Sequence, residues 1–453
     1  MVFSSITFIY MFLPLCLLIY YIVPAVAKNT ILLIFSLLFY SLGEPKLFLV
    51  ILACIILVYF GGRILEKNDK TCIFIILIIL CILPLVYFKY TNFFISNINN
   101  IFQLNISILK IVLPLGISFY TFQMISYLAD IRRKEITAEK NILKLALYVC
   151  FFPQLVAGPI VTYKDFSPQL DDRKTNTEQF SDGILYFVTG LGKKVLIANQ
   201  LGELCSLYNH ETATVLFTWI YAISYSLQIY FDFSGYSTMA IGLGKMFGFN
   251  LPENFNYPFI SSSIKEFWTR WHITLSSFFK NYVYIPLGGS RCTTPRHIFN
   301  LFFVWFLTGF WHGADWQFIF WGLFFFICLC IEKFIIKGRI NKCIGHIGTT
   351  LAILISFLIF SSENILDMFF KLKSLFYGVL TSDSTVFNLT NYGFLLLVGF
   401  IGSLPLINIF YKNHIRDKKI SAIVEPVYIA ILLILSTAYL IDGSFNPFLY
   451  FRF

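Results

Sequence analysis

The chain has 453 residues, of which 58% are hydrophobic, 19% aromatic and only 13% charged. Soluble domains carry about a quarter charged residues, so this composition excludes a disordered chain, a coiled coil and a water-soluble globular fold; no such fold has interior enough for 53 phenylalanines. The formal net charge of +10 gathers in short loops, as on the cytoplasmic side of membrane proteins. That distribution points to membrane lipids as partners and argues against nucleic acid.

A span needs about 20 mostly apolar residues. Nearly uncharged stretches cover 4–24, 30–43, 47–60, 71–88, 111–129, 145–163, 212–231, 298–314, 316–331, 348–362, 388–411 and 426–441. Several are shorter than a full span. With no strand-like alternation, they predict an all-α integral membrane protein: a multi-span bundle of about 11 transmembrane helices with re-entrant and interfacial helices. The expectation is one polytopic domain over 1–453 with 228–322 as its core segment.

No Lys or Arg precedes Lys28, so the first apolar stretch reads as a retained helix rather than a cleaved signal. The loops Arg63–Lys70 and Arg132–Lys144 are basic, and Tyr90–Asn105 between them is uncharged. That pattern places the basic loops in the cytoplasm and the N-terminus outside. Proline or glycine interrupts the spans at Pro84, Leu113–Gly116, Pro153 and Gly158–Pro159, which reads either as kinked packing or as a cavity lining. The stretch 164–182 is slightly acidic and is expected outside or as a surface cap. Segment 184–201, with Lys193-Lys194 in an apolar frame, suits an interfacial helix. Later cytoplasmic loops are expected at Lys333–Lys342 and Lys412–Lys419. Ten cysteines lie mostly in apolar runs without metal-ligand spacing, so no metal is expected.

Residues 228–322 differ from the rest. Six of the seven tryptophans fall there, with His272, His297, His312 and the apolar-flanked acids Asp232 and Asp315. Ionisable groups at membrane depth are costly and mark candidate functional sites. His312, between Gly309 and Gly313, is a candidate base, since a neutral imidazole accepts a hydroxyl proton and returns it. The glycines leave room for a ligand or for another backbone; the competing reading is a structural histidine bonded within the bundle. His272 follows Trp268, Arg270 and Trp271. If that run is helical, Glu266 pairs with Arg270 and Trp268 stacks towards His272. The basic segment 265–296 suits either a phosphorylated donor or an amphipathic helix on anionic lipid. Asp232 reads as a helix cap, a partner for nearby hydroxyls or a cation ligand. His210, His297, His346 and His414 receive no role. Loop charges place His312 away from the cytoplasmic face and His272 near it.

The combination Met1–Ser5, Tyr230-Phe231-Asp232-Phe233-Ser234-Gly235-Tyr236-Ser237, Glu266-Phe267-Trp268 through Trp271-His272, Tyr284-Ile285-Pro286-Leu287-Gly288-Gly289, Trp311-His312-Gly313-Ala314 and Asn446–Phe451 resembles the membrane-bound O-acyltransferase (MBOAT) superfamily. The likeness is specifically to its bacterial branch that O-acetylates alginate, peptidoglycan and other polysaccharides. The resemblance covers the whole chain; teichoic-acid D-alanylating relatives share mainly the central motifs. It implies an MBOAT-type bundle in the bacterial cytoplasmic membrane and an acyl donor, acetyl-CoA, on the cytoplasmic side. It also implies an acceptor reached from outside and an extracytoplasmic SGNH-type acetyltransferase or similar partner. It makes His312 the catalytic residue and sets His272 at the active site near the donor route. Relatives often carry Asp where Thr238 stands and a further His within 321–326; both are absent here.

The resulting expectation is an O-acetyltransferase with His312 as general base or transient acyl carrier. Asp232, Trp268, Arg270, Trp271, Asn281, Tyr284 and Trp311 are the candidate substrate-binding residues, and donors near Asn281, Tyr282 and Tyr284 are candidates for the oxyanion. The rival is a polysaccharide or lipid transporter without acyl-transfer chemistry.

Overall fold

The computed structural model describes residues 2–156, 158–210, 213–416 and 418–443. Met1 and the closing Asn446–Phe451 motif lie outside the described residues. Among those described, the regular structure is entirely helical. Seven helices are long and apolar enough to cross a membrane, and the chain packs as two compact units: 1–184 with 239–252, and 185–238 with 253–453.

The first unit is built from α1 (Phe8–Ile22), α2 (Ala25–Gly43), α3 (Phe48–Lys67) and α4 (Thr71–Phe102). To these it adds α5 (Ile117–Arg132), α6 (Ile142–Cys150), α7 (Tyr163–Asp172) and the start of α8 (Thr177–Gly192). Helix α1 stops before Val23-Pro24, because a residue preceding proline is driven out of the helical region. Lipid tails are as apolar as leucine, so contacts between spans come from close packing rather than from expulsion of water. Here that packing is aromatic: Phe12 meets Phe35, Phe39 and Phe152 at ring separations of 5.6, 5.8 and 5.6 Å. Phe3 of the opening motif stacks on Phe8 at 5.0 Å.

One sequence expectation changes in this unit, and two that stood open are decided. The uncharged stretch after Tyr90 is helical as far as Phe102, continuing α4 through a π-helical turn at Val86–Tyr90 just after Pro84. Proline there removes one ladder donor, and the wider turn absorbs the defect. The break before α5 is close packing: Gly116 has φ +70°, and a Cβ there would collide with the Leu155 carbonyl. The acidic stretch is a cap on the basic loop, with Lys144 to Asp171 at 2.6 Å and Lys164 to Glu135 at 3.0 Å.

The second unit holds the end of α8, a π-helical turn at Lys193–Ala198, α9 (Asn199–Ser206) and most of α10 (Val215–Met246). Two short helices follow, α11 (Ile264–Arg270) and α12 (Ile273–Phe279), then α13 (Thr294–His312). Helices α14 (Trp316–Ile336) and α15 (Lys342–Phe360) come next, then α16 (Ile365–Ser374). The unit closes with α17 (Asp383–Gly402), α18 (Leu406–His414) and α19 (Ser421–Asp442). Helices α10 and α13 have 32 and 19 residues, enough at 1.5 Å per residue to traverse about 30 Å. They are not among the seven apolar ones because polar residues, including Ser224, Gln228, Asp232, Asn300 and His312, lower their hydropathy; those residues are buried in the protein. The expectation of about 11 spans therefore counted apolar stretches that here form shorter or more polar helices.

Lys194 also departs from expectation. It is buried, with its ammonium 2.6 Å from the Asp232 carboxylate. The segment is thus drawn inwards by a buried carboxylate rather than laid on the membrane surface. Asp232 lies in the interior of α10, so it is not a helix cap.

Candidate functional site

The site lies in the second unit, where α13 meets α14. A Cβ at Gly309 would collide with the Phe318 carbonyl and lie 3.2 Å from Gly322 Cα, while one at Gly322 would collide with the Trp305 carbonyl. A Cβ at Gly313 would strike the Phe318 ring. The room these glycines leave is therefore filled by the neighbouring helix, in the manner of small-residue contacts between membrane helices. Helix α13 ends at His312, and Asp315 starts α14 by accepting a hydrogen bond from its own Trp316 N–H at 2.7 Å.

His312 is buried in an aromatic box. Its ring centroid lies 4.8 Å from Trp311, 4.9 Å from Trp321 and 5.4 Å from Phe360. The wall continues through Trp268, which is 5.7 Å from Trp321, 4.7 Å from Trp305 and 5.0 Å from Phe325. The indole nitrogens of Trp268 and Trp321 are buried and have no hydrogen-bond partner among the described residues.

His272 is placed by a break in the helix. The helix of residues 264–270 ends at Arg270, and His272 itself has φ +43° before α12 begins. A side-chain-bearing residue is uncommon in this left-handed region, so tertiary contacts hold it. Asn254 Oδ1 lies 3.2 Å from His272 Nδ1 and accepts hydrogen bonds from the Thr274 backbone N–H at 3.1 Å and hydroxyl at 2.9 Å. Phe233 packs edge-on against the imidazole at 4.6 Å. Burial drives the pKa of His272 well below its ordinary value, so the ring is neutral.

The two histidines converge on one side chain. Trp311 is 4.8 Å from His312 and 6.3 Å from His272. Loop charges had placed the two towards opposite faces. The short helices α11 and α12 instead fold into the bundle and carry His272 to the same indole. The break at Trp271-His272 also turns Trp268 away from the predicted stack on His272 and into the wall around His312.

The remaining candidates divide. Trp271 is buried among Phe255, Phe267 and Phe357 at 5.1 to 5.5 Å. Arg270 forms the expected pair with Glu266 at 3.0 Å and donates to the Asn256 carbonyl at 3.2 Å. The Asp232 carboxylate is given to Lys194, while the next residue, Phe233, touches His272. Asn281 is exposed on the Lys280–Tyr284 turn. The Tyr284 hydroxyl is 2.9 Å from His297 Nε2. His297 precedes His312 by 15 residues on α13, about 22 Å along the helix axis. Tyr284 is therefore at the far end of α13 from His312, and an oxyanion role there does not fit. His297, given no role from sequence, is buried and also contacts the Lys333 ammonium at 3.4 Å. Its position one turn inside α13, facing a basic helix end, was the only signal available.

The family model for MBOAT, the membrane-bound O-acyltransferase family, matches residues 133–354. The probable alginate O-acetylase of Pseudomonas aeruginosa is 40% identical over 81% of this chain and 73% of its own length. That of Azotobacter vinelandii is 34% identical over the whole of both chains. This chain belongs to the membrane-bound O-acyltransferase family. The peptidoglycan O-acetyltransferase of Helicobacter pylori is also similar, 36% identical over 83% of this chain and 78% of that protein. The matched region contains His272, His312, Trp268 and Trp321. This MBOAT protein is therefore a multi-pass membrane acyltransferase of the polymer-modifying kind, and the transporter reading falls away.

Proposed function

We propose that this MBOAT protein takes an acetyl group from acetyl-CoA on the cytoplasmic side of the bacterial inner membrane and delivers it to a hydroxyl approached from outside. The acceptor is a polysaccharide, or an extracytoplasmic SGNH-type acetyltransferase that passes the group on. The relatives' names, which mention alginate and peptidoglycan, support the class of polymer. The observation that carries the reading is the convergence of His312 and a neutral His272 on Trp311 inside a buried aromatic box.

In the reaction, the His312 imidazole takes the proton of the acceptor hydroxyl as its oxygen bonds to the thioester carbonyl carbon. The C–S bond then breaks, and the imidazolium returns the proton to the thiolate sulfur. The products are an ester and a free thiol. The aromatic walls exclude water, which would otherwise compete as acceptor. His272, fixed by Asn254, lines the approach as a neutral hydrogen-bonding group.

The test is His312→Ala in the native membrane. Polymer-bound acetate falls to background, while the purified variant retains a wild-type melting transition in detergent. Acetylation that persists in this variant refutes the assignment of the base.

A further inference from the structure

An addition to a carbonyl places negative charge on oxygen, and an acyltransferase needs donors aimed at that oxygen. The turn that sequence offered for this task lies at the other end of α13. The wall around His312 includes the indole donors of Trp268 and Trp321. An indole nitrogen donates and cannot accept, and a buried donor without an acceptor is costly. Trp219 shows how this protein satisfies such a group: its Nε1 donates to the Leu375 carbonyl at 3.0 Å. Trp268 and Trp321 are 8% and 2% exposed, yet neither Nε1 has an acceptor among the described residues. Both rings belong to the wall of the box. Trp321 touches the His312 imidazole, and Trp268 meets Trp321 at an interplanar angle of 76°.

We propose that the Trp268 and Trp321 indole N–H groups form the oxyanion site, receiving the carbonyl oxygen of the acyl group as the acceptor adds to it. The proposal rests on the acyl-transfer reading with His312 as base. Both donors stand in a buried aromatic setting, where a hydrogen bond to developing charge counts for more than in water. The rings are locked against Trp305 and Phe325, so little reorganisation is needed when the charge appears. The indoles transfer no proton: each hydrogen bond forms as the oxyanion develops and relaxes as the C–S bond breaks.

The experiment replaces each tryptophan separately with benzothienylalanine, which keeps the bicyclic ring and lacks the N–H; Trp321→Phe serves as a second variant. Thiol release from acetyl-CoA is measured with purified protein in nanodiscs in the presence of a soluble hydroxyl acceptor, O-deacetylated alginate oligosaccharide, beside wild type and His312→Ala. Removing one oxyanion donor is expected to lower kcat about 10²- to 10³-fold, with KM for acetyl-CoA unchanged and the melting transition retained. Wild-type kcat in the benzothienyl variants, or a change confined to KM, overturns the proposal. If His312→Ala is inactive while those variants turn over normally, the base stands and the oxyanion site falls. If wild type releases no thiol from acetyl-CoA, the underlying reading fails with that donor and takes this proposal with it.

Discussion

Asp232→Asn leaves the Lys194 ammonium buried beside a neutral amide. At 2.6 Å and an effective dielectric constant of about 20, the gross attraction of the native pair is about 6 kcal/mol. Withdrawing each ion from water costs several kcal/mol, so the intact pair contributes little net stability, whereas a single orphaned charge costs about 3–5 kcal/mol. Asp232→Asn and Lys194→Met are each expected to destabilise by that amount. The double variant Lys194→Met/Asp232→Leu, which removes both charges, is expected to recover most of the loss. The assay is equilibrium unfolding of the purified protein in detergent, analysed as a double-mutant cycle. Acetyl transfer is read in parallel, because Phe233 follows Asp232 and packs on His272. Single variants within 1 kcal/mol of wild type, or a double variant no better than the singles, refute the reasoning.

Two further outcomes are expected. Gly309→Ala drives a methyl group into the Phe318 carbonyl and towards Gly322 Cα at 3.2 Å. Both are backbone, with no flexible end to yield, so overpacking costs about 1–3 kcal/mol and shifts Trp321 relative to His312; a thermal melt and acetyl transfer in the same preparation measure both effects. His272 is held neutral in the fold, so below its ordinary pKa near 6.5 the unfolded chain binds more protons than the native one. Its contribution to stability is therefore complete above that pH and is lost progressively as pH falls below it. Denaturant titrations from pH 8 to 5 on wild type and His272→Gln separate this component, which the variant lacks.

Composition and hydropathy make the spans of the first 102 residues legible, because α2, α3 and α4 are apolar nearly all round and much of their surface faces lipid. His272 and His312 are legible as buried groups for the complementary reason: charge and imidazole are scarce in such a chain, although His297, equally buried, is passed over. What sequence does not show is pairing at a distance. Lys194 and Asp232 are 38 residues apart and read separately, the lysine as part of an interfacial helix and the carboxylate as a cap, a hydroxyl partner or a cation ligand, although together they form one buried ion pair. Nor does a helical pattern from Lys265 to Ser276 announce a break. A left-handed residue there would suggest glycine, yet the position is His272, held by contacts from Asn254 and Phe233 that lie outside the segment. The same hidden break moves Trp268 from one histidine to the other.

Helices α11 and α12 have seven residues each, about half the length at which an isolated helix becomes even marginally stable. The stretch that carries them is too polar to enter a bilayer as a span of its own. Among the described residues their support comes from the longer helices around them, through contacts such as Phe233 on His272, Trp305 and Trp321 on Trp268, and Phe357 of α15 on Trp271. During biogenesis the apolar spans can be handed to lipid as they leave the translocation machinery, but residues 253–293 must wait for partners encoded downstream. The segment that carries Trp268 and His272 is therefore assembled only after α13, α14 and α15 have been made. A lesion in α14 would yield a protein correctly threaded through the membrane and chemically blank.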